Sequence, residues 1–186
     1  TGDWSSDVCL PISLRLGPLF GDQMAKAMSQ AGVEPGADAA ALAELSAGSV
    51  GEALRLALLD GLKLYGDLIA LMNTMPNLDR ARALALADAA GARGSEAKLD
   101  LLYTLIDIAL SRLARTGAGH APLAQAAPNE AATFARLCAH PAQARAWADT
   151  AQTALARARH GRAVNLDPGA LVLDTLFKLA STATPR

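Results

Sequence analysis

The sequence predicts an all-α fold, a small helical unit followed by a larger helical bundle. Three observations carry that prediction. Alanine fills 43 of the 186 positions, and alanine gives up least on entering a helix. β-Branched residues are few and aromatic residues make up only 4%, whereas sheets draw on both. Apolar residues recur at intervals of three and four along much of the chain, the signature of a single buried helix face.

Each element follows from local signals. Leu14-Arg15-Leu16 reads as an extended lead-in closed by Gly17-Pro18. Asp22 suits the cap of a helix to about Ala31, with Met24, Ala27 and Met28 on one face. Pro35 and Gly36 punctuate the next turn. A short helix from about Asp38 to Ser46 then points Leu42 and Leu45 inward, and Gly48 stops it. Ser49 and Glu52 make a capping box, in which the hydroxyl bonds forward and the carboxylate reaches back. Leu54, Leu58, Leu62, Tyr65, Ile69 and Met72 keep helical spacing. They predict one long amphipathic helix, kinked near Asp60-Gly61.

Pro76 breaks that helix, and Asp79 starts another to about Ala90. Ser95 is expected to cap the next, whose stripe of Leu99, Leu102, Ile106, Leu110 and Leu113 is the cleanest in the chain. Thr116 to Pro128, rich in Gly, Ala and Pro, predicts a loop and the most mobile segment. Asn129 opens a helix to about Ala139, and Pro141 opens one to about His160. Asp167-Pro168, a cap followed by a first-turn proline, opens the last helix. That helix is apolar around most of its circumference, so neighbours or another subunit are expected to cover it. The predicted division is 14–47 for the small unit, 48–182 for the bundle and 183–186 for a tail.

Composition narrows the function classes. With 17 basic and 18 acidic residues the formal charge is -1, which disfavours a strongly basic nucleic-acid binder. So few aromatics cannot build a base-stacking platform. No uninterrupted apolar run is long enough for a membrane span. Two cysteines make no disulfide scaffold, and a reducing compartment, the cytoplasm, is the expected location.

Thr1 to Ser13 stands apart, with neither helical period nor strand alternation. Trp4-Ser5-Ser6-Asp7-Val8-Cys9 back-translates as TGGAGTTCAGACGTGTGC, which resembles a short-read sequencing adapter. Asp3 extends the match upstream, and Leu10-Pro11-Ile12 continues it after a one-base slip. Residues 1–13 are therefore expected to be translated adapter joined to a truncated reading frame, leaving Trp4 and Cys9 without a function.

The remainder carries no catalytic constellation. There is no phosphate-binding loop of the G-x-x-x-x-G-K-[ST] type. His120, His140 and His160 lie twenty residues apart, and none pairs at the helical spacing that a metal site needs. Cys138 is expected to be a buried thiol, because His140, two residues on, points elsewhere on a helix. Glu96 and Asp100 are expected to complement the positive end of their helix rather than to bind an ion. Arg157, Arg159, His160 and Arg162 are expected to complement a helix C-terminus. Trp147 is expected to pack in the core or at a subunit contact. No metal and no cofactor is expected.

Three stretches, in order, resemble one family. Leu14 to Leu19 resembles the segment by which an AAA+ ATPase core enters its helical lid. Gly48-Ser49-Val50-Gly51-Glu52-Ala53-Leu54-Arg55-Leu56 resembles the sensor-2 helix start of clamp-loader subunits. Val164-Asn165-Leu166-Asp167-Pro168 and the helix after it resemble the final collar helix of the delta-prime subunits of bacterial DNA polymerase III. The resemblance spans nearly all of 14–182 and implies a lid remnant (14–47) and a collar bundle (48–182). It implies a structural role in loading the sliding clamp onto primed DNA, with the delta and tau/gamma subunits as partners. DNA would be met only indirectly, through the complex. ATP-binding relatives carry arginine where Gly51 stands, so the resemblance also implies that the Gly48, Ser49, Gly51 motif binds no nucleotide. The ATPase-type domain is missing from the matched region, and no catalysis is implied for this chain. A free-standing helical ligand-binding or dimerisation domain is the alternative expectation. A small metal-dependent helical enzyme is the weakest reading.

Overall fold

The structure is a computed structural model, and it describes residues 17–19, 21–122 and 124–184. The adapter-like stretch 1–13 and the extended lead-in 14–16 lie outside the described residues. Among the described residues the fold is all-α, as the sequence predicts. The helices are α1 (Asp22–Gln30), α2 (Ala39–Leu45), α3 (Val50–Leu58), α4 (Gly61–Met72) and α5 (Arg80–Gly91). They continue with α6 (Glu96–Gly117), α7 (Glu130–Leu137), α8 (Pro141–Ala163) and α9 (Pro168–Thr182).

Several starts obey their local chemistry. Ser49, Asp79 and Asp167 each accept a hydrogen bond from the backbone amide three residues on. This satisfies one of the amides a helix start leaves open. Other starts differ from expectation. Gly21, at φ 55°, takes the cap position of α1, and Asp22 falls in the first turn. Ser95 stands before α6 without a capping bond, because its backbone is not extended (φ -103°, ψ 23°). Asn129 adopts a left-handed conformation before α7 and caps nothing with its side chain.

The long helix expected from Ser49 to Met72 is two helices. Asp60 turns left-handed (φ 55°, ψ 36°) and separates α3 from α4. The break rephases the pattern, so Leu58 is 74% exposed. Each half buries its own face: Ala53 and Leu56 from α3, and Leu64, Tyr65, Leu68, Ile69, Leu71 and Met72 from α4. The corner is tight. A Cβ on Gly61 would stand 2.6 Å from a Leu56 methyl and 3.0 Å from the Leu56 backbone, so a side chain there would force Leu56 to shift.

α6 is the central element, packed against α4, α5, α7 and α8. Its predicted stripe is buried throughout, and Leu101, Leu105 and Ala109 join it. Each fully buried leucine contributes about 1.5–3 kcal/mol. α9 lies against α5 and α8. These neighbours bury Leu171, Val172, Leu176 and Leu179, while Phe177 remains 51% exposed. At the α5–α9 contact a Cβ on Gly91 would stand 2.9 Å from the Gly169 amide nitrogen, so two backbones touch there.

The hydrophobic core runs without interruption from Met24 and Met28 of α1 to Ala180 of α9. No helix among the described residues is long and apolar enough to cross a membrane.

Candidate functional site

The motif singled out by sequence lies at the start of α3. Gly48 has φ 78°, a conformation that disfavours any side chain. A Cβ at Gly48 would also stand 2.7 Å from the Leu19 amide nitrogen, while that amide donates to the Gly48 carbonyl at 3.0 Å. Gly48 thus holds the incoming chain against the helix start. The Ser49 hydroxyl accepts from the Glu52 amide at 3.4 Å. The return arm of the expected capping box is absent: the Ser49 amide donates to Ser46, and the Glu52 carboxylate faces Arg55 at 3.4 Å.

Gly51 is exposed, and a side chain there would enter open space. Glycine presents no cation at this first turn. The nearest guanidinium on the same helix, Arg55, is held by Glu52.

The remaining sequence candidates are dispersed. Cys138 is buried at the end of α7, and burial pushes its thiol above the usual range, partly offset by a hydrogen bond with Gly117. A raised thiol is a poor nucleophile at neutral pH. His140 caps α8 by accepting from the Gln143 amide at 3.4 Å. Glu96 lies in the first turn of α6, and Asp100 pairs with Arg162. Arg157 pairs with Asp174 at 2.6 Å, so two members of the basic cluster already have partners. Trp147 is buried and donates to the Leu137 carbonyl at 2.9 Å. Among the described residues no three of His, Cys, Asp and Glu gather as metal ligands.

Sequence reasoning missed the densest polar cluster, which lies inside the bundle. Glu130, 1% exposed, accepts from the Tyr65 hydroxyl and from Arg112 Nε, both at 2.7 Å. Its second oxygen accepts from the Ala126 amide at 2.6 Å. Arg112 also donates to Glu44 of α2 at 2.6 Å and to the Ala124 carbonyl at 2.8 Å. The loop expected to be most mobile is therefore tied to α6 and α7 at two points.

Burial, reinforced by Glu130, pushes the Tyr65 phenol far above its usual range. Burial works against the Arg112 charge, but the Glu130 carboxylate outweighs it and raises its basicity. One signal was present in the sequence: Arg112 follows Leu105 by seven residues, two helical turns, and so shares its buried face. The cluster offers no nucleophile and no open coordination position. Its chemistry is cohesion.

Surface grooves select no obvious ligand. The groove between α4 and α5, about 280 Å³, carries Asp60 and Asp67 beside Lys63, Arg82 and Lys98, and Arg82 is already paired with Asp79, so the charges are mixed. No family model, no curated protein and no solved structure matches the chain.

Proposed function

We propose that this chain is the lid-and-collar portion of a delta-prime-like subunit of the bacterial clamp loader. In this reading it is a structural, oligomerising module that supports placement of the sliding clamp on primed DNA, and it is not catalytic by itself. Residues 14–47 belong to the lid and 48–182 to the collar. Its partners are the delta and tau/gamma subunits. It works in the cytoplasm, and DNA is reached only through the complex.

The observation that carries the reading is the start of α3. A family-like Gly48-Ser49 cap is formed, yet the first turn shows open space and no cation at Gly51. A nucleotide-binding lid needs a guanidinium there to meet phosphate charge. Arg55, one turn further along, is engaged with Glu52. The capped and buried α9 supports the same reading at the other end of the chain.

Size exclusion with light scattering, on the chain alone and mixed with delta and tau/gamma subunits, tests the proposal. A mixed complex of unchanged size with and without ATP is expected. A monomer or homodimer that ignores both subunits, even after a relative's ATPase-type domain is fused ahead of it, would overturn the proposal. That outcome would favour the ligand-binding or dimerisation alternative.

A further inference from the structure

The three N-terminal helices pack on one another, α1 against α2 and α3, and α2 against α3. They continue into the bundle at the sharp Leu59-Asp60 corner. Away from that corner one polar tie joins residues 17–58 to the rest among the described residues. It is the pair between Glu44 Oε1 and Arg112 Nη1, at 2.6 Å.

The two carboxylates on Arg112 are not equivalent. Glu130 lies within the bundle, and its side chain is 1% exposed. Glu44 sits on the rim, with 25% of its side chain exposed. Arg112 keeps Glu130 and the Ala124 carbonyl if Glu44 is withdrawn, so the bundle retains a paired cation. Loss of Glu130, by contrast, takes the acceptor from the buried Tyr65 hydroxyl and the Ala126 amide.

We propose that Glu44 and Arg112 form a latch that seats the α1–α3 unit on the bundle. Release of Glu44 frees that unit to turn about the Leu59-Asp60 corner while α4–α9 stay folded. The apolar contact between unit and bundle is non-directional and prefers no single orientation by itself. The charged hydrogen bond is directional and fixes one orientation. The inference does not depend on which partners the protein has.

Hydrogen–deuterium exchange on the full chain tests it, comparing wild type with Glu44→Gln. Glu52→Gln serves as control, because its partner Arg55 lies within the same unit. Glu44→Gln is expected to speed exchange about tenfold throughout α1, α2 and α3 and to leave α6 and α9 unchanged. The control is expected to match wild type beyond α3. An increase confined to α2 would show a merely local contact and overturn the latch. Equal increases along the whole chain, or failure of the variant to fold, would overturn it as well, since the bundle is required to stand without Glu44. No change anywhere would show that apolar packing alone seats the unit.

Discussion

Two arginine–carboxylate clusters in this molecule share nearly the same bond length and differ in everything around it. Arg112 meets Glu130 at 2.7 Å with side chains 9% and 1% exposed. Arg157 meets Asp174 at 2.6 Å with side chains 73% and 46% exposed. Distance therefore does not separate them; the medium does. In water the attraction is weakened by the dielectric and by salt, and two long side chains must be ordered to gain it. Inside the bundle each partner has been stripped of water, and the other groups of the cluster are its only replacements. The inner pair is consequently costly to break, while the outer pair is nearly optional.

Removing one inner partner is the largest test of that contrast. Glu130→Ala takes the buried acceptor from Arg112 Nε, the Tyr65 hydroxyl and the Ala126 amide together. Urea denaturation should show a loss of about 3–5 kcal/mol. Replacing the cluster with apolar residues, Tyr65→Phe, Arg112→Met and Glu130→Leu together, should recover most of that loss, because desolvation and attraction nearly cancel in such sites. A single variant that loses less than about 1 kcal/mol would place the inner pair in the same class as the outer one.

Alkaline pH probes the inner cluster without mutation. The chain has two tyrosines, Tyr65 and Tyr103, and burial makes both phenols harder to ionise. The folded state keeps a proton that the unfolded state gives up above about pH 10. Tyrosine-linked stability is thus fully present below that point and lost as the pH climbs. For Tyr65 the slope approaches about 1.4 kcal/mol per pH unit. Tyrosinate absorbance should appear together with unfolding, and Tyr65→Phe should flatten the fall in melting temperature. Tyrosinate formed while the helix signal is intact would show an open inner site.

The outer pairs define the small end of the scale. Arg162→Ala, which releases Asp100 on α6, is expected to lower stability by about 0.5–1 kcal/mol. Arg157→Ala should cost less, about 0–0.5 kcal/mol, and nothing measurable in high salt. A larger loss at Arg157, persisting in salt, would mean that exposure is a poor guide to these two sites.

The same contrast explains what was legible in the sequence. The α6 stripe and the Asp79 and Asp167 caps could be read, because periodicity and capping act over three or four residues. The basic cluster near Arg157 was visible as a run, yet its partner Asp174 lies 17 residues away. The inner cluster joins residues 18, 65 and 68 apart, and no local rule links them. The break at Asp60 is legible in position but reads as a kink, because the apolar spacing continues across it; only the left-handed Asp60 backbone and the close approach of Gly61 to Leu56 make it a full break. At the candidate site the Ser49 cap is legible, whereas the return arm from Glu52 to Ser49 is not formed, because the Ser49 amide donates to Ser46 and Glu52 faces Arg55.

One feature of the bundle bears on how the protein is made. α9 fills the space beside α5 and α8, with its glycine backbone in contact with Gly91 and its leucines in the core. It is also synthesised after every element it touches. While the nascent chain is still emerging, the faces of α5 and α8 that α9 will cover stand bare to water. Their apolar surface is then open to non-specific association, and folding of this region is completed only after α9 has left the ribosome.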